Sequence, residues 1–268
     1  MNTDTFLVTG ASDGIGAVYA DRLARRGNNL VLVARRAEKL ATLATRLQKD
    51  HGVTVEILPA DLGAAEGLAK VEARLRDDAT ITGLVNNAGI AGEGMITELD
   101  PAYVTGMINL NILAVTRLAA AIAPRLAAAG RGTIINITSV TALMPAAFTA
   151  VYPATKAFVL AFTEALQAQL SPSGVRVQGV LPGITRTAIW EDEKLETIPA
   201  AMVMDVEEMV DAALAGLDLG EALTVPSLPE TAILTPSLLP ATRCDPIYLW
   251  PTPPLATVCA TRIDGRRS

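Results

Sequence analysis

Tyr152 and Lys156 stand four residues apart in the run Tyr152-Pro153-Ala154-Thr155-Lys156. On a helix that spacing puts both side chains on one face, one turn apart. A phenol ordinarily titrates near a pKa of about 10. A lysine ammonium beside it favours the phenolate and so brings proton transfer closer to neutral pH. Ser139 lies 13 residues before the tyrosine, and Asn111 another 28 before the serine. A serine hydroxyl can hydrogen-bond an oxygen on which negative charge develops. These are the parts needed when hydride reaches a ketone and the resulting alkoxide must take up a proton. A lone Tyr-x-x-x-Lys is most often a surface pair on a helix, so the weight lies in its order and register with the other motifs.

The second such motif is Thr9-Gly10-Ala11-Ser12-Asp13-Gly14-Ile15-Gly16. Glycine allows backbone angles closed to other residues and lets a phosphate come close to the chain. A helix beginning there offers its free N–H groups to a dinucleotide diphosphate. Gly10, Ser12, Asp13, Gly14, Ile15 and Gly16 are therefore candidate cofactor contacts. Arg35 and Arg36 come next, in Val33-Ala34-Arg35-Arg36, with no carboxylate beside them. A guanidinium grips a phosphate through paired, charge-assisted bonds, which points to NADP(H) rather than NAD(H). The plainer alternative is a solvated arginine pair opening a helix.

These residues need a frame. Short β-rich apolar runs are expected at Phe6–Thr9, Leu30–Ala34, Thr54–Leu58, Gly83–Asn86, Thr133–Thr138, Arg176–Leu181 and Ala222–Val225. Amphipathic helical patterns occupy Ile15–Arg26, Ala37–Lys49, Glu66–Arg76, Tyr103–Leu126 and Tyr152–Leu170. Strand–helix alternation implies an α/β fold: one doubly wound Rossmann domain, with a seven-stranded, mostly parallel sheet and helices on both faces. Ligands of such sheets bind beyond the carboxyl ends of the strands. Gly10, Arg35, Asp61, Asn87, Ser139 and the pair Pro182-Gly183 each follow a different strand, so all fall on that edge. Pro153 suits only the first turn of a helix. It places Tyr152 at the helix entrance, with Thr149 as a candidate cap.

With Asn86-Asn87-Ala88-Gly89, Ser139, Tyr-x-x-x-Lys and Pro182-Gly183, the chain resembles a short-chain dehydrogenase/reductase over roughly residues 3–228. The spacing GxxxGxG and the short chain separate it from the epimerases and dehydratases of the extended relatives. The resemblance implies a tetrad of Asn111, Ser139, Tyr152 and Lys156, with Lys156 also on the nicotinamide ribose. It implies that Asn111 bends a helix and holds a proton-relay water. Asn109 competes for that role, but the small Ala114 and the distance to Ser139 favour Asn111. It further implies cofactor contacts at Asp61 and Leu62 beside the adenine, at Asn87, Ala88 and Gly89, and at Pro182, Gly183, Thr185 and Thr187. Many NADP users of the family carry a basic residue in the glycine loop, where this chain has Asp13. The implied activity is hydride transfer between a nicotinamide and a carbonyl or alcohol. The alternative is a nucleotide-binding regulator with little turnover, which would need neither Ser139 nor Tyr152.

The substrate side is expected to comprise Ile90–Met95, Thr141–Phe148 and a lid at about 184–204. These supply Met95, Leu143, Met144, Phe148, Ile189 and Trp190, with Glu93 and Arg186 as the few charges. That composition favours a neutral, fairly apolar carbonyl compound over a small acid. The net charge of −6 argues against nucleic acid as a partner. The first residues lack a signal-peptide pattern, and Arg117, Pro124 and Arg125 interrupt the most apolar stretch, 112–129. No membrane partner is expected, and the location should be cytoplasmic. His51 is expected at the surface. Cys244 and Cys259 lack metal-ligand spacing, so no metal site is anticipated. Ala119, Ala120, Ala121, Ala127, Ala128, Phe158 and Phe162 give two helices more apolar surface than one sheet face needs. A homotetramer or homodimer is expected, in keeping with the family resemblance. The frame should end near residue 228. Residues 229–268 hold seven of the 16 prolines, both cysteines and Trp250, and match no part of the family pattern.

Overall fold

The computed structural model describes residues 4–92, 94–147, 149–187 and 196–228. The chain divides into two units, Met1–Thr231 and Ala232–Ser268, and the second lies wholly outside the described residues. So do Glu93, Phe148, Ile189, Trp190 and the tail residues Cys244, Trp250 and Cys259.

Seven strands form one sheet: β1 (Thr5–Thr9), β2 (Asn29–Ala34), β3 (Val55–Pro59), β4 (Ile81–Asn86), β5 (Gly132–Ile137), β6 (Val175–Val180) and β7 (Leu223–Thr224). Their order is β3-β2-β1-β4-β5-β6-β7, and every pairing is parallel. The winding reverses between β1 and β4, which opens a crevice at the carboxyl ends of those strands. The alternation of strand side chains divides the core. Phe6 and Val8 join Leu30, Leu32, Val85 and Ile135 under α1 (Gly14–Arg25), α2 (Ala37–His51) and the last described helix, α7 (Val206–Leu219). Leu7 faces the other way, with Val31, Val33, Leu84 and Ile134. There it packs beneath α3 (Ala65–Asp77), α5 (Val115–Ala129) and the C-terminal half of α6 (Val151–Leu170).

The helix expected at Tyr103–Leu126 is not continuous. Asp100 caps α4 (Pro101–Ile108), its carboxylate accepting from Ala102 N–H, and a π-helical segment at Asn109–Ala114 then precedes α5. The wider turn leaves Asn111 almost fully buried, its amide turned to the β4–α4 loop and α6. Pro101–Ala129 is long and apolar enough to cross a membrane by length and composition. Its buried Leu118, Ala119, Ile122 and Leu126 nevertheless line the core. Arg117 pairs with Glu72 on α3, and Arg125 donates to the Leu75 and Ile81 carbonyls. Ala119 is therefore core, not interface as its sequence context had indicated. Two further expectations are corrected. His51 is mostly buried, its Nε2 3.6 Å from Asp21 Oδ1. Thr149 does not cap α6; its hydroxyl donates to the Gly92 carbonyl at 3.2 Å, and the helix starts beyond it.

A buried polar chain ties the sheet to α6. Asn86 Nδ2 donates to Asn136 Oδ1 (3.0 Å), Asn136 Nδ2 to Thr163 Oγ1 (2.9 Å), and Thr163 Oγ1 to the Val159 carbonyl (2.6 Å). Truncating the middle member takes the short acceptor from Asn86 Nδ2, which keeps only the 3.4 Å contact to the Val115 carbonyl, and takes the donor from Thr163 Oγ1, both in the buried interior. Asn136→Ala should lower the unfolding free energy by about 2 kcal/mol with an unchanged denaturant slope. A urea titration showing a loss below about 0.5 kcal/mol would contradict this account.

Candidate active site

The glycine loop turns from β1 into α1 with Gly10 at φ 65° and Gly14 at φ 50°, backbone that side chains with a Cβ rarely adopt. Gly16 has a different reason. A Cβ there would strike the Gly10 carbonyl and Asn87 Nδ2. Asn87 closes the loop from the neighbouring strand end: its Nδ2 donates to the Thr9 carbonyl at 2.9 Å, and its backbone N–H donates to Thr9 Oγ1 at 2.9 Å. The bare backbone and the start of α1 form a cradle that fits a diphosphate.

Beside it lies a cavity of about 430 Å³ lined by Gly10, Ser12, Asp13, Gly14, Ile15, Arg35, Arg36, Asp61, Leu62, Asn87, Ala88, Gly89 and Thr187. Residues from four strand ends thus converge, as the sequence indicated. Arg36 Nη2 donates to Ser12 Oγ at 3.0 Å and approaches Asp13 Oδ2 at 3.4 Å. Asp61 Oδ1 accepts from Gly63 N–H at 2.9 Å, which fixes the turn after β3. Lys39, which no motif had marked, donates to Asp13 Oδ2 at 2.8 Å. Its helical spacing from Arg36, three residues earlier, was the available signal.

A second cavity, of about 850 Å³, adjoins the first and holds the proposed chemical groups. Ser139, Tyr152, Lys156, Pro182, Gly183, Thr185 and Thr187 line it. Lys156 is buried; its Nζ donates to the Ile137 carbonyl at 3.0 Å and stands 5.7 Å from the centre of the Tyr152 ring. Thr138 Oγ1 donates to the Lys156 carbonyl at 2.7 Å, locking α6 to the end of β5. Burial with so few partners lowers the Lys156 amine to a pKa of about 8. Burial likewise pushes the Tyr152 phenol up, against a lowering hydrogen bond from Ser139. Desolvation is the larger of these two opposing causes, so the phenol lies above its ordinary value. Asn111 holds the β4–α4 loop by accepting from Ile90 N–H (2.9 Å) and donating to the Ile90 carbonyl (2.9 Å). It also donates to Thr155 Oγ1 at 3.1 Å.

The rest of the lining was only partly foreseen. Ile90, Ala91, Thr141 and Ile184 are present as expected, whereas Met95, Leu143, Met144 and Arg186 stand outside it. Met95 and Met144 are exposed. Gly92 and Ile198 come from the expected segments, while Glu98, Leu99, Asp100, Tyr103 and Thr149 lie outside them. Tyr103 reaches in from α4, its hydroxyl donating to the Ala91 carbonyl at 2.6 Å. Its place depends on how the β4–α4 loop folds back, which no local pattern encodes.

The short chain dehydrogenase family matches residues 4–197. The chain belongs to that family. It is an oxidoreductase that transfers hydride between a nicotinamide cofactor and an alcohol or ketone, and its fold and glycine loop are those the sequence resemblance implied. A solved short-chain dehydrogenase from Sphingobium yanoikuyae, in complex with NADPH, is 50% identical with a TM-score of 0.82, covering 86% of this chain and 90% of that one. The bulky-bulky ketone specific alcohol dehydrogenase from Comamonas testosteroni is 45% identical with a TM-score of 0.81, over 87% and 90% of the two chains. Very-long-chain 3-oxoacyl-CoA reductase-B from Danio rerio is 33% identical over 88% of this chain and 76% of its own length. Against the related reductase-A of the same organism the match spans 60% of that protein.

The buried amine gives a pH prediction. In the folded protein Lys156 releases its proton near pH 8, whereas in the unfolded chain it does so near pH ~10.4. Between those values the unfolded state binds more protons, so stability from this group rises with pH. It is complete above the upper value and lost as pH falls through the lower one. The stability difference between wild type and Lys156→Met should therefore shift in favour of wild type from pH 8 to 10 and stay flat from pH 6 to 7.5. Denaturant titrations across that range check it; a flat difference throughout would show an amine of ordinary pKa.

Proposed function

We propose that this dehydrogenase uses NADP(H) and reduces neutral, bulky, apolar ketones, with Tyr152 as the general acid. The observation that carries the reading is that Ser139, Tyr152 and Lys156 all line the same 850 Å³ cavity. When bound, the nicotinamide supplies or accepts the hydride. Ser139 and the Tyr152 phenol both address the substrate oxygen, and the phenol proton passes to the alkoxide as the carbonyl carbon is reduced. Lys156 supplies positive charge beside the phenol and offers its remaining N–H groups to the ribose. Asn111 keeps the β4–α4 loop and α6 in register through Ile90 and Thr155.

Three observations support the substrate class. Ile90, Ala91, Leu99, Val140, Ile184 and Ile198 make the walls largely apolar. The acids Glu98 and Asp100 are exposed where they line it, and Lys156 is the one cation lining it among the described residues. A carboxylate or a polyanionic thioester would meet repulsion there, while the Comamonas relative is named for bulky ketones. For the cofactor, Arg35 and Arg36 line the smaller cavity, and the Sphingobium relative was solved with NADPH.

Binding and turnover measured in parallel test both parts. Tyr152→Phe should lose at least about 100-fold in kcat, the scale of general acid catalysis, while keeping NADPH affinity. Lys156→Ala should damage both. The double variant Arg35→Ala/Arg36→Ala should weaken NADPH far more than NADH. Substantial turnover by the tyrosine variant, or equal losses for the two cofactors, would overturn the corresponding part.

The reading includes a cytoplasmic homodimer or homotetramer. Phe158, 42% exposed and stacked on Phe162 at 6.2 Å, supports a paired helix face, together with the exposed Ala120 and Ala128. Light scattering at micromolar concentration should give a multiple of the 28.0 kDa chain; a lone monomer peak would contradict the pairing.

A further inference from the structure

Asp13 is the residue of the glycine loop that fits the NADP reading least, and its contacts explain it. Its Oδ1 accepts from Gly14 N–H at 2.9 Å and caps α1. Its Oδ2 accepts from Lys39 Nζ at 2.8 Å and faces Arg36 Nη2 at 3.4 Å. The same arginine nitrogen donates to Ser12 Oγ at 3.0 Å. The Lys39 bond is the leading cause that holds the Asp13 carboxyl below its ordinary range. Two elements that are separate in sequence thus meet at the rim of the smaller cavity, cations from the start of α2 and one carboxylate from the β1–α1 loop. Helix stability does not account for the cations, since positive charge in a first turn opposes the helix dipole.

The arrangement is also easy to exchange. The side chains of Asp13, Arg36 and Lys39 are 40%, 53% and 51% exposed, and ion pairs in such settings contribute little. A phosphate monoester brings more negative charge and three acceptor oxygens, so it outcompetes a single carboxylate for the same donors.

We propose that Lys39 is a specificity-determining residue that binds the 2′-phosphate of NADP(H) together with Arg36, and that the Asp13 carboxylate is the anion this phosphate displaces. The proposal rests on the NADP(H) reading above. NADH leaves the Asp13–Lys39–Arg36 cluster closed, whereas NADPH opens it and must tolerate a carboxylate that remains nearby on its cap. Lys39 then favours NADPH selectively, and the charge of Asp13 opposes it selectively.

The test is direct titration of the full chain with NADPH and with NADH, in wild type, Lys39→Met and Asp13→Asn. Asparagine keeps an oxygen for the Gly14 cap and removes only the charge. Wild type should prefer NADPH. Its preference ratio should fall about tenfold in Lys39→Met and rise about threefold or more in Asp13→Asn, the scale of removing one charge-assisted hydrogen bond or one like-charge repulsion. An NADPH preference in wild type that Lys39→Met leaves unchanged, or that Asp13→Asn lowers, overturns the inference and leaves the cofactor reading standing. A wild type that binds NADPH no tighter than NADH overturns the cofactor reading, and the inference with it. NADH binding by each variant reports that the fold is intact, and rescue of the ratio by Lys39→Arg would support a role for charge rather than shape.

Discussion

A buried amine with too few partners is the constraint around which the site is organised. Lys156 offers three donors, and its hydrogen bond among the described residues goes to the Ile137 carbonyl. That bond sets the end of α6 against the end of β5, and Thr138 secures the same junction from the other side. Tyr152, one turn earlier, is thereby delivered to the crevice beside Ser139. The cost of holding a cation out of water shows in its lowered pKa. Such a group is poised for a ligand that supplies hydroxyl acceptors, so the same interaction that orders α6 also prepares the proposed ribose contact.

The glycine loop depends on a comparable exchange across strands. Asn87 commits its amide to the Thr9 backbone, which leaves no room for a Cβ at Gly16. The loop and the Asn87 turn are therefore one unit on two adjacent strands at the switch point of the sheet. The diphosphate cradle and the proposed catalytic wall are then held by the same parallel register, β1 on β4 and β4 on β5.

What could be read from residues alone follows the range of the interactions. The strand–helix alternation, the sheet edge carrying each motif and the helical pairing of Tyr152 with Lys156 are local patterns, and all reappear in the structure. The π-helical break at Asn109–Ala114 agrees with the bend that the family resemblance implied at Asn111, although the apolar pattern of 103–126 by itself reads as one continuous helix. The pocket walls were misjudged. Met95 and Met144 are apolar but exposed, and Tyr103 and Glu98 enter only because the β4–α4 loop folds back on itself. Ala119 and His51 show the same limit, since Ala119 joins a core cluster drawn from distant strands and helices and His51 stands beside Asp21, 30 residues earlier. The upward push of burial on the Tyr152 phenol was not legible either, because desolvation is not visible in a sequence.

The central claim is that one cavity brings hydride and proton to the two ends of a bulky ketone carbonyl, with Tyr152 delivering the proton. A single-turnover reaction with NADPH deuterated on either face of nicotinamide C4 in turn, followed by mass spectrometry of the alcohol, tests it most directly. The account predicts deuterium on the carbinol carbon from one face only in wild type, and no labelled alcohol from Tyr152→Phe on the same time scale. Label from both faces, or labelled alcohol formed as fast by the phenylalanine variant, would contradict it.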